Sequence, residues 1–123
     1  MLSIGNGYAS ATVIEFDDFA RVDMRVGRVV SAEPFPEARK PSYRLRIDFG
    51  PAIGERASSA QLTRTYPDPA ALVGRLVVAV VNFPARRIAG FSSEVLVLGA
   101  MGDDGEVYLL TPEPGCAEGL RIG

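Results

Sequence analysis

YPDPAALVG, residues 66–74, carries the punctuation of a short helix rather than of another strand. Asp68 stands where an N-cap side chain accepts a free backbone N–H, Pro69 fits the first turn because its missing N–H has no helical partner there, and Gly74 suits the end. Strand patterns flank it on both sides. Downstream, RLVVAVVN (75–82) is apolar on both faces, Leu76, Val78 and Val80 on one, Val77, Ala79 and Val81 on the other. That predicts a strand that is central or covered on both sides. Upstream, GERASSAQLT (54–63) alternates weakly and is built from small residues, which lets another backbone or a ligand approach closely.

Further out the alternation is cleaner. In SYRLRIDFG (42–50), Tyr43, Leu45, Ile47 and Phe49 face one way and Ser42, Arg44, Arg46 and Asp48 the other, which predicts a half-buried strand with a basic outer face. In RVDMRVGRVVSAEPF (21–35), Val22, Met24 and Val26 alternate with Arg21, Asp23, Arg25 and Gly27 before Val29 and Val30 break phase, which reads as a strand bent at Gly27. The prolines of EPFPEARKP (33–41) make that segment a long loop between strands one and two. SEVLVLGAM (93–101) and EVYLLTP (106–112) read as further strands around a Gly102-Asp103-Asp104-Gly105 turn, and FDDFARVD (16–23) as a short helical turn. Five or six short strands with one helix between the third and fourth is the order of an all-β, five-stranded Greek-key barrel of the oligonucleotide/oligosaccharide-binding (OB) kind. We assign residues 16–123 to that domain and residues 1–15 to an N-terminal extension; both ends extend beyond the barrel.

Composition narrows the chemistry. A chain of 123 residues, 47% hydrophobic and 23% charged, is one globular domain able to bury a core. No apolar run approaches the roughly 20 residues of a membrane span, and the first residues lack a signal-peptide pattern, so a cytoplasmic location is expected. The single cysteine, Cys116, has no internal disulfide partner. Histidine is absent, which excludes the common zinc sets and removes the usual base for a serine or cysteine nucleophile. Neither an enzyme nor a cofactor is expected. The net charge of −2 gives no global grip on nucleic acid, so polyanion binding would need a local basic patch.

Candidate site residues cluster in NFPARRIAGFSSEVLVLGA (82–100) and in the long first loop. Arg86 and Arg87, held between Pro84 and Gly90, are expected in the loop between strands four and five, Arg39 and Lys40 in the loop between strands one and two. Arg44 and Arg46 lie on the outer face of strand two. The six form one basic patch or are solvated surface charges. Phe35 and Phe91, in loops, are stacking platforms or a docking surface; Tyr43, in phase with Leu45 and Ile47, belongs to the core. Asn82 opens the segment. Ser92, Ser93 and Glu94 are either a polar clamp at the barrel rim or a strand entrance satisfied by backbone; no base is at hand to make them catalytic.

DFARVDMRVGRVVSAEPFPEARKPSYRLRIDFG, SSAQLT and VNFPARRIAGFSSEVLVLG together resemble the CsaA family, three blocks in order over residues 16–123. That family is similar to stand-alone bacterial tRNA-binding proteins and to tRNA-binding domains appended to aminoacyl-tRNA synthetases. The resemblance implies an OB barrel, a homodimer, and a chaperone-like role in export, with unfolded or precursor polypeptides and export machinery as partners. It also leaves tRNA binding by the same face as the alternative. The tRNA-binding relatives carry Ser-x-Gly-Met where this chain has Ser93, Glu94, Val95 and Leu96, a departure that fits the CsaA branch. The apolar stretch 8–14, with little barrel to pair with in its own subunit, is expected at the dimer interface.

Overall fold

The computed structural model describes residues 12–123. β1 (Met24–Pro34) organises it, because this one long strand pairs with two partners in succession. Its first half runs antiparallel to β4 (Leu76–Val80), from Met24 opposite Val80 to Arg28 opposite Leu76, and its second half to β2 (Tyr43–Asp48), ending with Pro34 opposite Tyr43. The register slips between Val29 and Ser31 and leaves Val30 47% exposed. The broken phase in the sequence is therefore a β-bulge at Val30 and not a bend at Gly27. Gly27 has another purpose: a Cβ there would stand 2.5 Å from Ile47 Cγ2 and 2.7 Å from Phe49 Cε1.

With β3 (Glu55–Ala60) on β2 and β7 (Leu96–Val97) on β4, the five-stranded antiparallel sheet has the order β3-β2-β1-β4-β7 and curls into a nearly closed OB-type barrel. β4 is buried at all five positions, as its two apolar faces require. Between β3 and β4 lies a 3-10 helix, Pro69–Leu72, in which Asp68 Oδ1 accepts from the Ala70 N–H at 3.0 Å and Gly74 takes a φ of 87° just beyond the end. Its Leu72 is fully buried in a core with Val29, Leu45, Ile47, Phe49, Leu62, Val77 and Val95. Tyr43 is 4% exposed and its hydroxyl donates to the Tyr66 carbonyl at 2.7 Å; burial, then the nearby Asp68 charge, raises that hydroxyl above the usual phenol range.

The C-terminal segment extends the pairing of β1. Next to the first half of β1, where β2 no longer reaches, the C-terminal segment adds a strand-like rung: Gly119 N–H donates to the Val26 carbonyl at 2.8 Å, Val26 N–H to Leu120 at 2.9 Å and Ile122 N–H to Met24 at 2.9 Å. Arg28 and Glu118 pin it with an ion pair at 2.6 Å. α1 (Phe16–Ala20) precedes β1, capped by Glu15 and Asp18. Of the stretch 8–14, residues 8–11 lie outside the described residues, and Val13 and Ile14 are exposed. No helix among the described residues is long and apolar enough to cross a membrane.

Candidate ligand-binding rim

After β4, Pro84 cannot extend the sheet, and the chain folds back on itself as a separate hairpin of β5 (Arg86–Ile88) and β6 (Phe91–Ser93). Arg86 stands opposite Ser93, Arg87 opposite Ser92 and Ile88 opposite Phe91. Ala89 and Gly90 form the two-residue turn with φ of 46° and 82°, the left-handed pair that a twisted hairpin needs. Arg86 and Arg87, expected in a loop, are therefore on a strand. Three residues are too few for alternation to show in a sequence.

The two readings of Ser93 and Glu94 separate at this point. Ser93 Oγ accepts from Ser59 N–H at 3.0 Å, Glu94 Oε1 accepts from Ala57 N–H at 3.0 Å, and Glu94 N–H donates to the Ala57 carbonyl at 2.8 Å. The buried Ser58 hydroxyl adds a bond to the Val95 carbonyl at 3.0 Å. Together they satisfy the open edge of β3, which is what barrel closure demands of backbone polar groups. Small residues in β3 thus admit another backbone. Asn82 is structural as well: its Oδ1 accepts from Asp23 N–H at 3.0 Å and its Nδ2 donates to the Arg21 carbonyl at 2.7 Å, tying the end of β4 to the start of β1.

Phe35 is no exposed platform. Phe35 N–H donates to the Ser42 carbonyl at 3.1 Å, which draws the two ends of the proline-rich loop together and leaves the ring 3% exposed. It meets Phe91 edge-to-face at 5.4 Å, and Arg44 sits over its face with the guanidinium carbon 5.2 Å from the ring centroid. Arg44 is also paired with Glu33 at 3.1 Å, and Arg46 with Glu55. The sequence patch is therefore not six free charges.

Most cations of the described chain have a partner. Arg21, Arg25, Arg28, Arg44, Arg46 and Arg56 pair with carboxylates, Arg75 stacks on Tyr66, and Arg121 donates to the Ala20 carbonyl. Among the described residues, Arg39, Lys40, Arg64, Arg86 and Arg87 keep side chains without an intramolecular partner. Arg64 was not legible as a site residue, because in sequence it is one arginine between two threonines. Beside the hairpin runs a groove of about 400 Å³, whose walls are Phe83, Pro84, Arg86, Ile88, Val95 and Leu96 together with Ser59, Ala85, Ser93 and Glu94. Phe83 and Leu96 are 53% and 49% exposed. Sequence reasoning passed over both; Phe83 beside a proline is a readable signal, whereas the outward member of VLVL needs the register.

A small OB-type barrel with an apolar groove and unpaired arginines at its rim is a ligand-binding module. Residues 24–121 match the family described as "Putative tRNA binding domain". The fold is similar to chaperone CsaA of Bacillus anthracis (TM-score 0.85, 49% identity, 91% of this chain and 100% of that one) and to the CsaA chaperone protein of Picrophilus torridus (0.82, 47%, 90% and 100%). The sequence is 40% identical over 115 residues to the methionine–tRNA ligase of Aromatoleum aromaticum, covering 89% of this chain but only 16% of that relative. The chain belongs to the CsaA family of tRNA-binding-domain proteins.

Proposed function

We propose that the chain is a non-enzymatic, chaperone-like protein of the cytoplasm that holds unfolded or precursor polypeptides on the way to export, working as a homodimer of the domain at residues 16–123. One observation carries this reading: an open groove of about 400 Å³ whose walls are mostly apolar and whose rim arginine, Arg86, has no carboxylate partner among the described residues. Phe83 and Leu96 offer apolar surface that gains by being covered, and a polypeptide with apolar and acidic side chains complements both features. The likeness to two chaperone structures supports it.

The test is a titration with an unstructured precursor peptide at two salt concentrations. Phe83→Ala and Leu96→Ala, both at half-exposed positions, are expected to weaken binding roughly four- to tenfold, since covering the exposed half of such a side chain is worth about 0.8–1.5 kcal/mol, with little salt dependence. Undiminished binding by both variants would overturn the reading. A second reading, tRNA binding by the same rim, is favoured by the family match over residues 24–121 and by the methionine–tRNA ligase relatives. It predicts the opposite pattern: loss with Arg86→Ala and Arg87→Ala, and a steep fall in affinity with salt.

A further inference from the structure

Two of the unpartnered cations line one pocket away from the groove. Lys40, from the loop between β1 and β2, and Arg64, from the segment after β3, line a separate pocket of about 340 Å³ with Pro41, Gln61, Thr63 and Gly105. It shares no residue with the groove. Arg64 rests against the turn between β8 (Gly99–Met101) and β9 (Val107–Leu109), where a Cβ at Gly105 would lie 3.6 Å from Arg64 Nη1. No carboxylate lines the pocket, and Asp103 and Asp104 of that turn make no ion pair with either cation.

Two positive charges from different loops in one concavity repel each other unless an anion joins them. Lys40 brings a point charge and Arg64 a planar fork of donors, with the Gln61 amide and the Thr63 hydroxyl as neutral donors beside them. A phosphate group, with several acceptor oxygens and a full negative charge, matches that donor set, and the volume lies in the roughly 300–1,000 Å³ range of small-ligand pockets. We propose that this pocket accepts a phosphate group. The phosphate comes from an RNA backbone or from a free phosphate compound. In the first case the pocket rests on the tRNA reading above; in the second it stands without it.

The experiment follows the backbone amides of Gln61, Thr63, Arg64 and Gly105 by NMR in the full chain as inorganic phosphate, and separately a 12-nucleotide single-stranded RNA, is added. It is repeated with Lys40→Ala/Arg64→Ala, whose two side chains are exposed and whose thermal unfolding should match that of the unsubstituted protein. The expected result is saturable shifts at these amides that vanish in the double variant. If RNA is the source, its affinity falls about tenfold or more and its salt slope drops by about 1.4, near 0.7 for each lost contact on a single strand. A response to phosphate without RNA binding supports the pocket with a free phosphate compound as its source. RNA binding that the double variant retains in full, with no phosphate response, overturns the pocket and leaves the tRNA reading intact. Silence at these amides toward both ligands overturns it outright.

Discussion

Gly27 and Glu118 are two positions where one side chain decides whether neighbouring elements can meet. At Gly27 the ring of Phe49 and the methyl of Ile47 occupy the space of a Cβ, so Gly27→Ala overpacks the core and is expected to cost about 1–3 kcal/mol, measured as a lower denaturation midpoint. Glu118 is held below the usual carboxylate range, first by the hydrogen bond from Arg28. Because its folded value lies below its unfolded one, its contribution is present above the ordinary value of 4.5 and is lost as pH falls through the lower folded value. Glu118→Gln is therefore expected to unfold more easily than the parent at neutral pH and to converge with it in acid, read from melting temperatures across a pH series. A constant gap at all pH values would disprove the role of the charge. Neither residue announced this in sequence. Gly27 looked like a bend, and Glu118 lies 90 residues from its partner.

Short elements differ in how much of their own structure they encode. The 3-10 helix was legible because its determinants are local: Asp68 caps Ala70, Pro69 opens the turn and Gly74 leaves it. Removing the cap with Asp68→Ala is expected to cost about 0.5–2 kcal/mol in chemical denaturation. The β5–β6 hairpin was read as a loop, and its turn shows why it is also weak in sequence. Ala89 adopts a left-handed φ of 46° that alanine disfavours, whereas Asn-Gly is the ordinary pair for this turn. Ala89→Asn should raise stability by about 1 kcal/mol. An unchanged or lower midpoint would show that the turn is not strained.

For the whole molecule, the end of the barrel that carries α1 leaves Val13, Ile14, Phe16 and Leu120 open to solvent, Val13 at 92% and Phe16 at 77%. The Arg121 bond to the Ala20 carbonyl, at 2.8 Å, keeps the C-terminal segment beside α1, so these side chains share one end of the protein. The proposed homodimer would cover them. Light scattering at micromolar concentration is then expected to return twice the 13.1 kDa chain mass, and Ile14→Asp with Phe16→Asp to return it once. A monomer mass for the unsubstituted chain would end the dimer proposal and leave the barrel untouched.

The sequence by itself determined what local periodicity and local turn chemistry can carry. Tyr43, Leu45, Ile47 and Phe49 declared the core face of β2, the doubly apolar β4 declared its burial, and Asp68 with Pro69 placed the small helix in the order that an OB barrel requires. The missing histidine restricted the chemistry in the same direct way. Which polar residues are free to bind was decided only by tertiary structure. Arg44 and Arg86 are the same residue type on short strands, yet Arg44 is paired with Glu33 over the Phe35 ring while Arg86 has no partner among the described residues. Ser93 and Glu94 read in sequence as either a clamp or a strand entrance, and the β3 edge takes their hydrogen bonds. A strand edge takes its hydrogen bonds, and a cation its counter-charge, from residues tens of positions away, and that pairing exists only once the barrel has closed.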